Sequence, residues 1–173
     1  MLSRKLVLAL LLVAVQACGY RFVDEQGLFG PDATVLVRMF ENRSNEPGLE
    51  RLLADAMNEE FLRRGALRPV RSVGANGLEI GGTIVDVAVS PSAYSSVELA
   101  LEDVLSLSVE VSVERRAAGA SAAPLWIAER MSRTERFSAS ADPNVYESNK
   151  EQALRRLAAA LASQIHDEIF QTF

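Results

Sequence analysis

Cysteine and histidine each occur once in the 173 residues, as Cys18 and His166. One cysteine excludes a disulfide scaffold and a thiolate metal cage, and one histidine excludes a multi-histidine metal site. There is no GxSxG elbow, no Walker loop and no paired nucleophile and base. His166 is followed by Asp167 and Glu168, but consecutive residues of a helix point different ways, so they make no catalytic set. Near a helix C-terminus such a histidine is expected to be solvated or to satisfy the helix dipole. Neither an enzyme nor a cofactor is expected. Positive charge is in deficit, with 18 Lys+Arg against 23 Asp+Glu and a net charge of −5, so nucleic acid is a poor partner. The apolar run Leu6 to Val15 (LVLALLLVAV) is shorter than the ~20 residues of a spanning helix. With 49% hydrophobic and 24% charged residues the chain is neither disordered nor collagen-like. No internal repeat or low-complexity block is present.

What the amino terminus does have is a targeting layout. Arg4 and Lys5 precede the apolar run, and Cys18 follows at once. Val15, three residues before the cysteine, and Ala17, just before it, match a lipoprotein signal; the bulkier Gln16 departs from the pattern. Residues 1–17 are therefore expected to be a signal peptide, and Cys18 the lipidated first residue of a mature chain of net charge −7. An amino-terminal cysteine with two or three acyl chains is a durable membrane anchor. Gly19 stands where lipoproteins retained in the inner membrane often carry Asp, which points to the outer membrane. Residues 18–32 form the acylated start and a tether with three turn formers and no period. A single domain follows over residues 33–173.

Within that domain the periods alternate. Thr34 to Phe40 (TVLVRMF) is rich in β-branched and aliphatic residues and reads as a buried strand. Asn42 to Glu46 is turn-like, and Pro47 suits a first helical turn. Apolar residues at 49, 52, 53, 56, 57 and 61 make one helical stripe, stopped by Gly65. Gly77 to Val89 reads as a strand whose apolar parity changes, with a bulge expected at Gly81-Gly82. Pro91 to Ser96 reads as a loop. From Val97 to Val113 the odd positions are apolar and the even ones mainly Glu or Ser, which marks a strand buried on one face. Asp103 interrupts the odd series, so a bend or loop is expected near Glu102-Asp103. After a small-residue turn (residues 115–124), Leu125 to Phe137 returns as a more polar edge strand. Asp142-Pro143 starts a helix with Leu154, Leu157, Ala158, Leu161, Ile165 and Ile169 on one stripe. The expected fold is α+β, a two-layer sandwich in the order β-α-β-β-β-α. A mostly antiparallel four-stranded sheet carries two helices packed on one face.

Few residues compete for a chemical role. Glu98, Glu102, Glu110 and Glu114 form a row better read as a polar face than as a calcium or proton site. Gly81-Gly82 lies within a strand, which disfavours phosphate cradling. Trp126 and Tyr94 are contact candidates that serve equally well as core or loop anchors.

Several segments together carry a family resemblance. They are Cys18-Gly19-Tyr20-Arg21-Phe22, Phe40 to Ser44, Glu46 to Glu50, Leu125-Trp126, Asp142-Pro143, and the helix containing Ala153-Leu154-Arg155-Arg156-Leu157-Ala158. In combination they resemble the lipopolysaccharide-assembly lipoprotein family, the small outer-membrane subunit of the lipopolysaccharide translocon, over essentially the whole mature chain. The resemblance implies a non-enzymatic lipoprotein that sits largely inside a large outer-membrane β-barrel, plugs it and helps assemble it. It also implies contact with lipopolysaccharide, membrane attachment through the acyl chains, and a domain on the periplasmic side. No lipopolysaccharide contact carries over by motif. Lipid A phosphates call for arginine, and Arg115, Arg116, Arg130, Arg133 and Arg136 are the local candidates, each also readable as an ordinary surface arginine.

The segment Val35 to Gly65 is also similar to the amino-terminal domain of the Tol translocation protein and to lipoprotein activators of cell-wall synthases. That similarity implies a periplasmic adaptor docking on a cell-envelope protein. The Leu125-Trp126 strand and the Asp142-Pro143 helix favour the translocon family.

Overall fold

A computed structural model describes residues 32–74, 77–94, 100–116 and 124–172. The signal peptide, Cys18 and the tether up to Pro31 lie outside the described residues, as do Val97, Glu98 and Leu99 and most of the 115–124 turn. Among the described residues eight elements follow one another: β1 (Thr34–Val37), β2 (Glu41–Asn42), α1 (Leu49–Arg64), β3 (Arg68–Pro69), β4 (Leu78–Tyr94), β5 (Ala100–Arg115), β6 (Pro124–Ser138) and α2 (Pro143–Thr172).

The class is α+β as expected, but the sheet is larger and mixed. It has six strands in the order β3-β1-β4-β5-β6, with β2 also paired to β4. β1 runs parallel to both β3 and β4, and β2 parallel to β4, whereas β4–β5 and β5–β6 are antiparallel. The four-stranded, mostly antiparallel sheet is therefore corrected. Strands β2 and β3 have two residues each, too few to show a period, and the crossover through α1 returns the chain parallel to β1.

Local chemistry explains the ends of the helices. Gly48 (φ +86°) precedes the first turn of α1 and Gly65 (φ +73°) ends it, its N–H donating to Phe61 O at 2.9 Å. Pro47 thus lies before the cap rather than in the first turn. Asp142 caps α2, its Oδ1 accepting the Asn144 N–H at 2.9 Å.

The buried stripes of both helices join one core with the odd residues Leu105, Leu107, Val109, Val111 and Val113 of β5. Opposite them on β4 stand Ile80, Ile84 and Val87. The parity change in β4 is real but lies at Val85, between Ile84 and Asp86, because Gly81 and Gly82 continue the ladder opposite Ser112 and Val111. Gly82 serves a close approach instead: a Cβ there would lie 2.0 Å from Glu110 O and 3.0 Å from the Phe40 ring. Residues 91–94, expected in a loop, continue β4 with register shifts beside Ala93. The bend expected near Asp103 is likewise absent, since β5 is continuous from Ala100 to Arg115. Asp103 is buried with the other odd residues, and the Tyr146 hydroxyl of α2 donates to its Oδ2 at 3.0 Å. Burial and the Asp103 carboxylate both push the Tyr146 hydroxyl pKa up.

Candidate functional site

The even residues of β5 face away from both helices. Cross-strand partners place Ser106 between Ala88 and Thr134, Ser108 between Asp86 and Ser132, and Ser112 between Gly81 and Ile127. Ser108 and Ser132 share a hydroxyl hydrogen bond at 2.8 Å, and Ser106 Oγ donates to Ala88 O at 3.4 Å. Short hydroxyl side chains over three long strands leave a flat polar surface. The even residues from Val104 to Glu114 stay partly exposed, while Leu105 and Leu107 opposite are fully buried. One end is charged: Arg38 lies 3.9 Å from both Glu79 and Glu114, and Arg116 lies 3.4 Å from Glu79. Ion pairs this long and this exposed contribute little to stability.

The five candidate arginines do not meet in one patch. Arg115 ends β5 opposite Leu78, and Arg116 donates its N–H to Gly77 O at 2.9 Å. Arg130 lies at the β6 irregularity facing Val109–Val111. Arg133 pairs with Leu107 and so stands on the helix side, whereas Arg136 pairs with Val104 on the open side. Trp126 is half-buried against the core; the side chain of Tyr94 lies outside the described residues. Among the described residues no three His, Cys, Asp or Glu side chains are placed to hold a metal ion.

The junction between α1 and α2 holds what the sequence concealed. Glu60 is buried, and accepts from Arg63 Nη2 at 2.6 Å and Arg64 Nε at 2.7 Å. Burial by itself would raise the Glu60 pKa, but its two arginine partners outweigh that and lower it. Arg64 also bridges to α2, reaching Asp167 Oδ1 at 2.6 Å and Ser163 Oγ at 3.0 Å. Beneath this cluster His166 is 0% exposed, and neither ring nitrogen has a hydrogen-bond partner among the described residues. Its ring stacks on Phe170 at 4.4 Å and tilts against Phe61 at 5.2 Å. Burial, reinforced by Arg64, drives its pKa down to about 4 against the opposing pull of Glu60 and Asp167. The expectation of a solvated or dipole-satisfying histidine is thus overturned. The signal was present, because Ala162, Ile165, His166 and Ile169 follow the i, i+3, i+4, i+7 spacing of one buried face.

Asn42 is a second residue that composition did not mark. Its Nδ2 donates to Glu46 O and Glu50 Oε2, both at 2.8 Å, while its Oδ1 accepts from Ser44 N–H at 3.0 Å and Ser44 Oγ at 2.7 Å. That folds the segment before α1 into a compact turn, which Glu46 ties to Lys150 of α2.

Solved bacterial structures share this fold. The chain is similar to a putative lipoprotein from Caulobacter crescentus at 13% identity, covering 77% of this chain and 88% of that one, with a TM-score of 0.50. Rare lipoprotein B from Shewanella oneidensis matches at 16% identity over 80% and 96% of the two chains, with a TM-score of 0.50. A hypothetical protein from Chlamydia trachomatis matches at 11% identity over 80% and 96%, with a TM-score of 0.55. These likenesses establish the fold. No curated protein matches the sequence. The family model for lipopolysaccharide assembly, LptE, matches residues 33–169, and the chain belongs to that family. It is thus a lipopolysaccharide-assembly lipoprotein of a non-enzymatic, outer-membrane family. Among the described residues no helix is long and apolar enough to cross a membrane.

Proposed function

We propose that this chain is the lipoprotein subunit that plugs and helps assemble the β-barrel lipopolysaccharide translocon, anchored to the outer membrane through acylated Cys18. The observation that carries this reading is the uncovered sheet face bearing Ser106, Ser108, Ser112, Ser132 and Thr134. The lumen of a large outer-membrane barrel is polar, and a face of hydroxyls interspersed with the carboxylates Asp86 and Glu110 suits a polar wall rather than lipid. The domain then stands on the periplasmic side, largely within the partner barrel. Arg115, Arg116, Arg130, Arg133 and Arg136 are the candidate contacts for lipid A phosphates. Since they divide between both ends and both faces of the sheet, each is to be tested singly.

Copurification from membranes tests the reading. The acylated protein should bring down a large β-barrel, and Ser108→Arg, which leaves the core untouched, should reduce its yield at least several-fold. Recovery of a Tol component or a cell-wall synthase instead, or a barrel yield indifferent to Ser108→Arg, counts against it. Cys18→Ser protein should leave the membrane fraction; retention there overturns the anchor.

A further inference from the structure

At the sheet edge farthest from β6 lies a groove of about 690 Å³ between α1 and the β1–β3 pair. Its apolar lining is Leu36, Val37, Leu62, Pro69 and Val70, with Arg71 at the rim. Leu62, 66% exposed, is the most exposed large apolar side chain among the described residues. Backbone is open here as well. The β1–β3 ladder covers only Thr34↔Arg68 and Val35↔Pro69, so Val37, paired with Ile80 of β4 on its inner side, has no strand on its outer side among the described residues. Apolar side chains beside an unpaired strand edge form a site for extended chain.

The geometry points to residues 20–29 of the chain's own tether as the occupant of this groove. Three observations converge on that segment. The described chain begins at Asp32, two residues before β1, so the tether arrives beside the groove. Leu28 can span ~14 Å from Asp32 and Phe22 ~34 Å when extended, against ~13 Å from Asp32 to Leu36 along β1. The tether is also unusually aromatic. Gly19 to Pro31 holds Tyr20, Phe22 and Phe29, three of the chain's eleven aromatic residues, together with Val23 and Leu28. Lastly, Asp24 and Glu25 complement Arg68 and Arg71, which are exposed and have no ion pair among the described residues. Asp55 of α1 also lines the groove, and it forms no ion pair with Arg68 or Arg71 among the described residues.

Seated in the groove, the tether is short and fixes the stand-off between anchor and domain. Released, residues 18–31 span up to ~46 Å. The inference is independent of the barrel, since it concerns only how the chain meets its own amino terminus.

Disulfide trapping tests it in the chain from position 18 onward carrying Cys18→Ser. The pair Leu28→Cys/Leu62→Cys should close within one molecule at least ten times faster than Leu28→Cys/Ser132→Cys, whose second cysteine lies on the open sheet face. Leu62 is exposed, so its replacement removes no core contact, and Leu28→Cys is common to both pairs, so the comparison does not depend on it. Equal closing rates overturn the inference. So does a link formed only between two molecules, which would make a second copy the occupant. Closure that appears only when phosphatidylglycerol vesicles are added overturns it too, because the tether would then answer to lipid.

Discussion

Leu107 and Ser108 are neighbours on β5 with opposite surroundings. Leu107 is fully enclosed between the sheet and the helices, while Ser108 stands on a bare face and shares a 2.8 Å hydrogen bond with Ser132. One strand thus divides its labour by parity. The face under the helices supplies cohesion through apolar burial, and the other face carries exposed hydroxyls. The charged and polar residues that matter to folding are found on the covered side. Among the described residues, Asp103, Glu60 and His166 are the buried polar and charged ones.

That contrast can be broken from either side. Leu107→Ala should have the largest effect, lowering stability by about 2–5 kcal/mol through lost transfer energy and an unfilled cavity. A urea midpoint barely moved would mean that the helix-side face is not the source of cohesion. His166 comes next. Above pH 6.5, its ordinary value, it is neutral in folded and unfolded chain alike and adds no pH dependence. Below that the unfolded state binds a proton that the fold refuses until about pH 4, so stability falls across that window. The full loss is on the order of 3 kcal/mol. His166→Leu should flatten this stretch of the pH–stability curve. Glu60, whose pKa is lowered, contributes stability that is lost at still lower pH, so the two can be separated. Ser108→Ala should do least, costing under about 1 kcal/mol; a larger loss in thermal unfolding would show that the bare face also holds the fold together.

The long periodic elements were legible in the sequence because their burial is one-sided. The odd positions of β5, the edge strand β6, the stripe of α2 and its Asp142-Pro143 start stand as the pattern implies. Parity could be read in β4 as well, but the glycines drew attention from Val85, where the extra residue is accommodated. Asp103 looked like a break because a carboxylate does not belong to an apolar series. The distant Tyr146, 43 positions along the chain, satisfies one of its two buried oxygens. The short strands β2 and β3 had no signal at all, as pairing with β4 and β1 rather than any pattern of their own creates them. For the open face, the Ser/Glu alternation announced a polar surface, and the neighbouring hydroxyls of β6 completed it. The arginines showed the limit of reading along the chain. Residues 130, 133 and 136 are close in sequence, yet the pleat sends Arg133 and Arg136 to opposite faces.

The mixed sheet also sets the order in which its parts can be closed. Tyr94 and Ala100 meet across a span of 6 residues, whereas Val35 and Leu78 are 43 apart. By loop-closure entropy alone the parallel pair is about 2 kcal/mol harder to bring together. The antiparallel meander can zip from its turns, and β1 joins only once that template exists. The part of the domain nearest the amino terminus is therefore, by topology, the latest to be secured.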